Sequence, residues 1–203
     1  SKTQGREIMN PDKFEKFMQE LYEKFHMHDL KQNDRLHRYR NIEPESGQFL
    51  SMLIRAQQSK KILEIGTSTG YSTLWLAKAA RQTQAKITTL ELDAERVDQA
   101  KQYATEIDLA DVIDFKVGDA QVYLEAMLEG FDFILLDAER DAYVSYWPHL
   151  SRLLKIKGGL LVVDNVISHA AEVKEFITLI QQDPRFIMMT VPIGAGLLMV
   201  EFR

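Results

Sequence analysis

From Lys61 onward, short apolar runs alternate with amphipathic stretches along the chain. The apolar runs predict strands at Lys61–Ile65, Lys86–Leu92, Val112–Val117, Phe131–Leu136 and Gly159–Val163. The amphipathic stretches predict helices at Tyr71–Ala80, Ala94–Ile107, Ala120–Leu128, Ala142–Leu154 and Ala170–Gln182. Pro148 would kink or shorten the fourth of these helices. Apolar strands that alternate with helices indicate a mostly parallel sheet covered on both faces, an α/β fold of the Rossmann-like type.

The two ends of the chain depart from this alternation. Before it, Asn10 and Pro11 predict a helix start, and Pro44–Gln57 is predicted to form a second helix. The first helix carries a stripe of apolar residues at helical spacing, typical of core packing: Phe14, Phe17, Met18, Leu21, Tyr22 and Phe25. After the alternation, Phe186–Val191 and Leu197–Phe202 predict an antiparallel hairpin.

The composition narrows the class of protein. A length of 203 residues fits one domain over 1–203, which we divide into a helical region at 1–58 and a Rossmann-like core at 59–203. The formal net charge of -5 argues against a nucleic-acid partner, because phosphate binding usually needs a basic face. The absence of cysteine excludes disulfides and thiolate catalysis. This absence fits a reducing compartment, so we expect a cytoplasmic protein. No apolar run approaches the roughly 20 residues needed to span a bilayer, so we expect no membrane partner.

The first predicted strand ends in a glycine-bearing turn. Gly66 and Gly70 are spaced as G-x-x-x-G, which differs from the G-x-G-x-x-G of dinucleotide sites and disfavours a nicotinamide dehydrogenase. Glu64 lies just before the turn, where its carboxylate can meet a cationic amine. Glu91 ends the next strand, where a carboxylate can accept hydrogen bonds from ribose hydroxyls. The alternative is a tight turn with two solvated acids, but together these features favour a nucleoside-type cofactor.

Asp119 follows the third predicted strand and precedes the helix that begins at Ala120. Its carboxylate can cap that helix or accept a hydrogen bond from an adenine amine, and one carboxylate can do both.

Two further strands end in oxygen-bearing side chains. Asp137 follows the fourth strand, and Asp164 and Asn165 follow the fifth. Three oxygen ligands with open positions suit Mg²⁺, Mn²⁺ or Ca²⁺. A hydroxyl oxygen on such an ion loses its proton far more readily near neutral pH and becomes a strong nucleophile for a sulfonium methyl group. The alternative is that these side chains only cap helices or shape loops.

From about Arg38 to its end, the chain resembles the cation-dependent O-methyltransferases of the caffeoyl-CoA and catechol type. The resemblance rests on Glu45–Leu53, Leu63–Gly66 with Thr69–Ser72, Gly118–Ala120, Asp137-Ala138 and Asp164-Asn165. It implies a class I methyltransferase fold with S-adenosylmethionine as the cofactor and a homodimer as the assembly. The cofactor residues it implies are Ile42, Glu64, Gly66, Ser68, Gly70, Tyr71, Ser72, Glu91, Asp119, Ala120 and Asp137. Asp137, Asp164 and Asn165 correspond to the metal ligands.

Two departures from the family pattern concern the reaction. Arg140 occupies the position of a lysine that often acts as the general base, and arginine stays protonated in proteins. Arg140 and Asp137 are therefore the candidate catalytic residues, with Arg140 stabilising an oxyanion rather than taking a proton. The second departure is a short segment, Val166–His169, in place of a longer one beside the acceptor. This shorter segment makes a CoA thioester or a catechol doubtful as the acceptor. It also contains His169, which is a candidate base.

The leading hypothesis is a metal-assisted O-methyltransferase acting on a small hydroxylated, aromatic acceptor. The alternatives are a metal-independent small-molecule methyltransferase and a protein that binds S-adenosylmethionine without catalysis. The acidic charge, and the lack of an Asn-Pro-Pro-Tyr or Asp-Pro-Pro-Tyr motif, disfavour a nucleic-acid or protein methyltransferase.

Overall fold

The structure, a computed structural model, describes residues 11–34, 38–39, 41–128 and 130–203. The chain divides into two compact units, Ser1–Asn41 and Ile42–Arg203. No helix within these described ranges is long and apolar enough to cross a membrane. The predicted cap at Asn10 lies outside the described residues.

The first unit contains helix α1, Pro11–Leu30. The predicted apolar stripe is buried at Phe14, Met18, Leu21 and Phe25. The helix continues past His26, where the sequence becomes polar. Its end is held by Tyr39, whose ring stacks on His28 at 4.0 Å and whose backbone N–H donates to Asp29 at 2.7 Å.

The second unit is a seven-stranded sheet with helices. Its strands are β1 (Lys61–Ile65), β2 (Lys86–Glu91), β3 (Ile113–Val117), β4 (Phe133–Leu136), β5 (Leu160–Asp164), β6 (Phe186–Val191) and β7 (Leu197–Phe202). Its helices are α2 (Pro44–Gln57), α3 (Tyr71–Thr83), α4 (Ala94–Glu106), α5 (Ala120–Ala126), α6 (Tyr143–Leu153) and α7 (Ala170–Gln181). The strand order is β3-β2-β1-β4-β5-β7-β6. β1 to β5 are parallel, and β6 and β7 form the antiparallel hairpin predicted from the sequence. The predicted α/β fold is confirmed.

The central strands are apolar because helices cover both faces of the sheet. All four residues of β4 and all five of β5 are buried, including Asp164 at the end of β5. The register places Ile65 beside Leu136, and Leu136 beside Val163. The carboxyl ends of β1, β4 and β5 therefore lie at one edge of the sheet.

Several predicted boundaries were wrong by two or three residues. β4 begins at Phe133, because Phe131 forms only an isolated bridge with Leu154. α3 continues past Ala80 to Thr83, and Gln84 then ends it in the left-handed conformation. α5 ends at Ala126, before the predicted Leu128. Pro148 lies inside α6, which continues through it.

Candidate active site

Backbone hydrogen bonds extend beyond the ends of the strands and bring the predicted site residues to one edge. The Asp137 N–H donates to the Ile65 carbonyl at 3.0 Å. The Gly66 N–H donates to the Leu90 carbonyl at 2.9 Å, and the Gly118 N–H donates to the Glu91 carbonyl at 2.9 Å. The segments that follow β1 to β4 are thereby fixed against one another.

Gly66 is required by this packing. Its φ is +101°, and a Cβ at this position would lie 1.9 Å from the carbonyl oxygen of Asp137. In the structure its close neighbour is the backbone of Asp137, so the glycine permits β1 and β4 to end side by side.

Glu64 is fully buried beneath the glycine turn. Ser72 Oγ donates to Glu64 Oε2 at 2.6 Å, and Thr73 and Thr89 donate to Oε1, the latter at 2.7 Å. Burial raises the pKa of Glu64 to about 7, against the lowering effect of these hydroxyls. Sequence reasoning missed Thr73 and Thr89. Ser72, which the resemblance predicts to contact the cofactor, thus also supports Glu64, and its contact with the cofactor stays a prediction.

Glu91 organises the glycine turn from the end of β2. Its Oε1 accepts from the Ser68 N–H at 2.8 Å, and its Oε2 accepts from the Asp93 N–H at 3.0 Å. The predicted ribose acid therefore lies beside the turn, with its carboxylate bonded to the backbone of that turn.

The remaining predicted cofactor residues occupy helix starts near this edge. Asp119 caps α5 by accepting from the Gln121 N–H at 2.9 Å, so the capping interpretation is observed; Ala120, the first residue of α5, is half-buried. Tyr71 begins α3 and is buried, as is Ile42 two residues before α2. Gly70 precedes α3 with a φ of +88°.

The structure brings two of the three predicted metal ligands, Asp137 and Asn165, into contact. Asn165 Nδ2 donates to Asp137 Oδ1 at 3.1 Å. Asp164 is 2% exposed, and neither of its carboxylate oxygens accepts a hydrogen bond from a described side chain. Burial and repulsion from Asp137 raise the pKa of Asp164 well above its ordinary value. A buried carboxylate without such donors fits a cation site, because a bound cation offsets the cost of its burial.

The predicted metal site, Asp137, Asp164 and Asn165, contains few carboxylates. Among the described ranges, no group of three or more His, Cys, Asp and Glu side chains is placed to hold a metal ion. The predicted ligand set contains two carboxylates and one amide oxygen. Water and an acceptor oxygen would therefore complete the shell of a hard cation.

Arg140 begins a 3-10 turn, Arg140–Ala142, between β4 and α6. Its Nε donates to Glu172 on α7, and its side chain is 12% exposed. The segment between Asp137 and Arg140 is held by Tyr143, whose hydroxyl accepts from the Ala138 N–H at 2.8 Å and donates to the Ala138 carbonyl at 3.1 Å. Sequence reasoning missed Glu172 and Tyr143, since neither lies in a motif.

The short segment after Asn165 is tied to the β6–β7 turn. The N–H groups of Ile167 and Ser168 both donate to the Ala195 carbonyl at 3.1 Å. His169 folds back so that its N–H donates to the Asn165 carbonyl at 3.0 Å, and its Nδ1 lies 2.8 Å from Ser168 Oγ. The same turn, through Gly194 and Ala195, lines a cavity of about 480 Å³ together with residues 43–45 at the start of α2.

The fold is that of a class I methyltransferase, and comparison with known proteins identifies the family. The family model described as O-methyltransferase matches residues 16–202. Caffeoyl-CoA O-methyltransferase 1 of Eucalyptus globulus is 31% identical over 176 residues, covering 75% of this chain and 71% of that protein. Catechol O-methyltransferase of Mycobacterium tuberculosis is 35% identical over 127 residues, covering 62% of this chain and 57% of that protein.

A similar solved structure is also that of an O-methyltransferase. The O-methyltransferase from Bacillus cereus, in complex with SAH, superimposes with a TM-score of 0.76 at 25% identity and covers 93% of this chain and 91% of its own. The chain belongs to the O-methyltransferase family. The predicted enzyme class, an S-adenosylmethionine-dependent O-methyltransferase, is confirmed by this membership.

Proposed function

We propose that the chain transfers a methyl group from S-adenosylmethionine to a hydroxyl of a small, aromatic acceptor, assisted by a divalent cation. The observation that carries the cation is the convergence of Asp137 and Asn165 with the buried carboxylate of Asp164. Mg²⁺ is the first choice, with Mn²⁺ and Ca²⁺ as alternatives, because all three prefer oxygen ligands. When bound, such a cation would favour loss of the proton from the acceptor hydroxyl.

The carboxylates at this edge of the sheet complement the positive charges of the cofactor. S-adenosylmethionine carries a sulfonium and an ammonium group, and Glu64, Glu91 and Asp137 supply carboxylates around the glycine turn. We assign the methionine end to the region of Glu64, Ser72 and Ile42, the ribose to Glu91 and the adenine to Asp119 and Ala120. The backbone around Gly66, Ser68, Gly70 and Tyr71 would contact the cofactor between these ends.

The residues of the chain would act mainly by position and charge. Holding the acceptor oxygen, the methyl carbon and the sulfur in line removes much of the barrier to transfer. Arginine is a poor base, so Arg140 would stabilise negative charge on the acceptor and would not take its proton. A water molecule is then the simplest proton acceptor.

The aromatic acceptor draws support from the names of the relatives, which specify caffeoyl-CoA and catechol. The short segment after Asn165 departs from the family pattern, so neither a CoA thioester nor a catechol is assigned as the acceptor within this class. The homodimer, the cytoplasmic location, the absence of a nucleic-acid partner and the single domain over 1–203 stay predictions.

The test is transfer of labelled methyl from S-adenosylmethionine to a panel of catechols, simple phenols and one CoA thioester, with Mg²⁺ and with a chelator. Transfer that stops with chelator and returns with Mg²⁺ supports the proposal. Transfer that continues unchanged in the chelator indicates a metal-independent methyltransferase. Binding of the cofactor without transfer to any acceptor, even with metal, favours a binder without catalysis.

A further inference from the structure

Two large apolar side chains are exposed at the amino ends of the parallel strands, the edge of the sheet opposite the candidate active site. Leu128, in the segment that leads into β4, is 90% exposed, and Ile156, in the segment that leads into β5, is 74% exposed. A single exposed apolar residue is ordinary on a protein surface, whereas neighbouring ones rimmed by polar groups mark a contact surface.

The segments that carry Leu128 and Ile156 are held together by direct contacts. The Lys155 N–H donates to the Phe131 carbonyl at 3.0 Å. The Lys155 side chain also passes over Gly130, since its Cγ lies 3.2 Å from the position of a Cβ at that glycine. These contacts follow shortly after Leu128 and come directly before Ile156 in the chain, so the two apolar side chains belong to one surface.

Basic residues surround these two side chains. Asp132 joins the segments, because its Oδ2 accepts from the N–H groups of Lys60 and Lys61 at 2.7 and 2.8 Å and its Oδ1 lies 2.9 Å from Lys155 Nζ. We call the three joined segments, 55–61, 127–132 and 152–159, the basic edge. They contain six basic residues and two acidic ones, of which Glu129 lies outside the described residues. The basic residues are Arg55, Lys60, Lys61, Arg152, Lys155 and Lys157.

The net charge of the whole chain, -5, hides this local excess of positive charge. The acids Glu64 and Glu91 lie towards the carboxyl ends of β1 and β2. β1 has five residues and spans about 16 Å at about 3.3 Å per residue. The Debye length at physiological ionic strength is about 8 Å, so the acids at the far edge are largely screened from the basic edge. A partner at the basic edge therefore meets positive charge.

We propose that the basic edge docks on an anionic membrane surface, with Leu128 and Ile156 entering the headgroup region and the lysines contacting lipid phosphates. A lysine suits this boundary, because its alkyl stem can lie along apolar surface while its ammonium reaches a phosphate. Four or more basic residues beside a membrane surface are typical of binding to anionic lipids. A nucleic acid or an acidic protein would use the positive charge but would not require the two aliphatic side chains.

This association differs from spanning a membrane, which no helix in the described ranges can do. It revises the sequence-based expectation of no membrane partner, which considered spanning segments only. Because the candidate active site lies at the opposite edge of the sheet, a docked chain keeps that site open. The inference goes beyond the proposed function and does not rest on it.

The test is cosedimentation of the full chain with sucrose-loaded vesicles of phosphatidylglycerol and phosphatidylcholine in about equal parts, compared with vesicles of phosphatidylcholine alone. The unmodified protein is expected to partition at least about tenfold more strongly onto the anionic vesicles. Lys157→Gln is expected to weaken this binding about fivefold. The double variant Leu128→Ser with Ile156→Ser is expected to weaken it at least about tenfold, because two apolar side chains no longer leave water.

Two control variants lie outside the basic edge. Lys174→Gln removes an exposed lysine from α7, which begins near the opposite edge of the sheet. Met189→Ser removes a side chain on β6 that is 67% exposed. Both are expected to bind the anionic vesicles within about twofold of the unmodified protein. Melting curves of every variant check that it is folded.

Each other outcome overturns the inference. Equal or absent binding to the two kinds of vesicle would mean that the basic edge has no affinity for anionic lipid. Binding that Lys157→Gln weakens and the Leu128 and Ile156 substitutions do not would indicate a purely electrostatic surface, suited to a nucleic acid or an acidic protein. Losses as large in the two controls would place the contact elsewhere on the chain. Methyl transfer is not a readout of this experiment, so failure of the proposed function is detected separately.

Discussion

Asn165 and Asp137 lie 28 residues apart in the chain, yet Asn165 Nδ2 donates a hydrogen bond to Asp137 Oδ1 over 3.1 Å. The bond crosses from the end of β5 to the end of β4, so it joins the two segments that carry the candidate metal ligands. It also gives the Asp137 carboxylate a hydrogen-bond donor. The Asp164 carboxylate accepts a hydrogen bond from no described side chain. The two aspartates are therefore unequal, and Asp164 carries the larger cost of burial.

Replacing Asp164 with asparagine is expected to stabilise the metal-free fold and to abolish metal-dependent transfer. The neutral amide avoids both the burial of a charge and the repulsion from Asp137 that raise the pKa of Asp164. Because the folded-state pKa of Asp164 lies above the unfolded one, Asp164 makes the unmodified protein lose stability as the pH rises, and the variant lacks this contribution. The gain is expected to be roughly 1–3 kcal/mol at alkaline pH and to shrink towards about pH 4.

The measurement is urea unfolding in chelator from about pH 5 to about pH 9, paired with methyl transfer in Mg²⁺. Asp98→Asn is the control, since Asp98 is an exposed acid on α4. A variant that is less stable than the unmodified protein across this range would show that the Asp164 carboxylate is favourably bonded in the fold.

Gly66→Ala tests the contact between the glycine turn and the metal side of the site. The new Cβ would lie 1.9 Å from the Asp137 carbonyl oxygen, so the ends of β1 and β4 must separate. Gly158→Ala is the matched control, because Gly158 also has a positive φ, +78°, but nothing lies within 4 Å of its Cβ position. We expect a loss of about 1 kcal/mol for Gly158→Ala, from backbone strain alone. Gly66→Ala is expected to cost at least about 3 kcal/mol and to abolish cofactor binding.

Urea unfolding and calorimetric titration with S-adenosylmethionine measure these two effects. Equal losses of stability in the two alanine variants would mean that the contact with Asp137 relaxes at little cost.

The positions of these groups could be predicted in part from the sequence. Asp137 and Asp164 end apolar runs, and the carboxyl ends of parallel strands share one edge of the sheet, so their place followed from the pattern alone. The pairing of β4 with β5 could not be derived in this way, because strand order depends on how the helices cross over the sheet. The resemblance to a family implied only that Asp137, Asp164 and Asn165 belong to one site.

The residues that were missed act through tertiary contacts. Thr89 lies mid-strand and meets Glu64 across the β1–β2 pair, 25 residues away. Glu172 lies 32 residues from Arg140. From the sequence alone it looks like an ordinary acid in the first turn of a helix. Neither spacing is periodic, so no local pattern marks them. One retrospective signal was available at Glu64, since a carboxylate within an apolar strand needs donors nearby.

Glu64→Gln is expected to remove part of the dependence of stability on pH. The folded-state pKa of Glu64 is about 7, raised from 4.5 by burial, so the folded protein binds an extra proton between these values. The unmodified protein should therefore lose stability across that window, by on the order of 3 kcal/mol from this residue, and no more above it. Glutamine is neutral and can still bond the surrounding hydroxyls, so the slope should be shallower in the variant. Unfolding by urea at intervals through this window, without cofactor, gives the slope, and Glu106→Gln on the exposed end of α4 is the control.

Tyr143→Phe is expected to impair methyl transfer more than it impairs folding. The hydroxyl is bonded to both the N–H and the carbonyl of Ala138, and its loss leaves two backbone groups unpaired between Asp137 and Arg140. We expect a loss of about 1–3 kcal/mol in the free energy of unfolding. Because the buried ring still packs edge-on against Phe176, the fold should persist. The segment that carries Asp137 and Arg140 is then free to shift, and kcat for methyl transfer should fall at least about tenfold, since displacement of a reacting group by about 1 Å is costly.

Tyr146→Phe is the control for this prediction, because Tyr146 is a buried tyrosine on the same helix. It should retain kcat within about twofold. Initial rates at saturating cofactor and Mg²⁺, with urea unfolding of both variants, separate the catalytic effect from the structural one. If Tyr143→Phe keeps full kcat, the Tyr143 hydroxyl contributes only to folding, and the segment from Asp137 to Arg140 is held by other contacts.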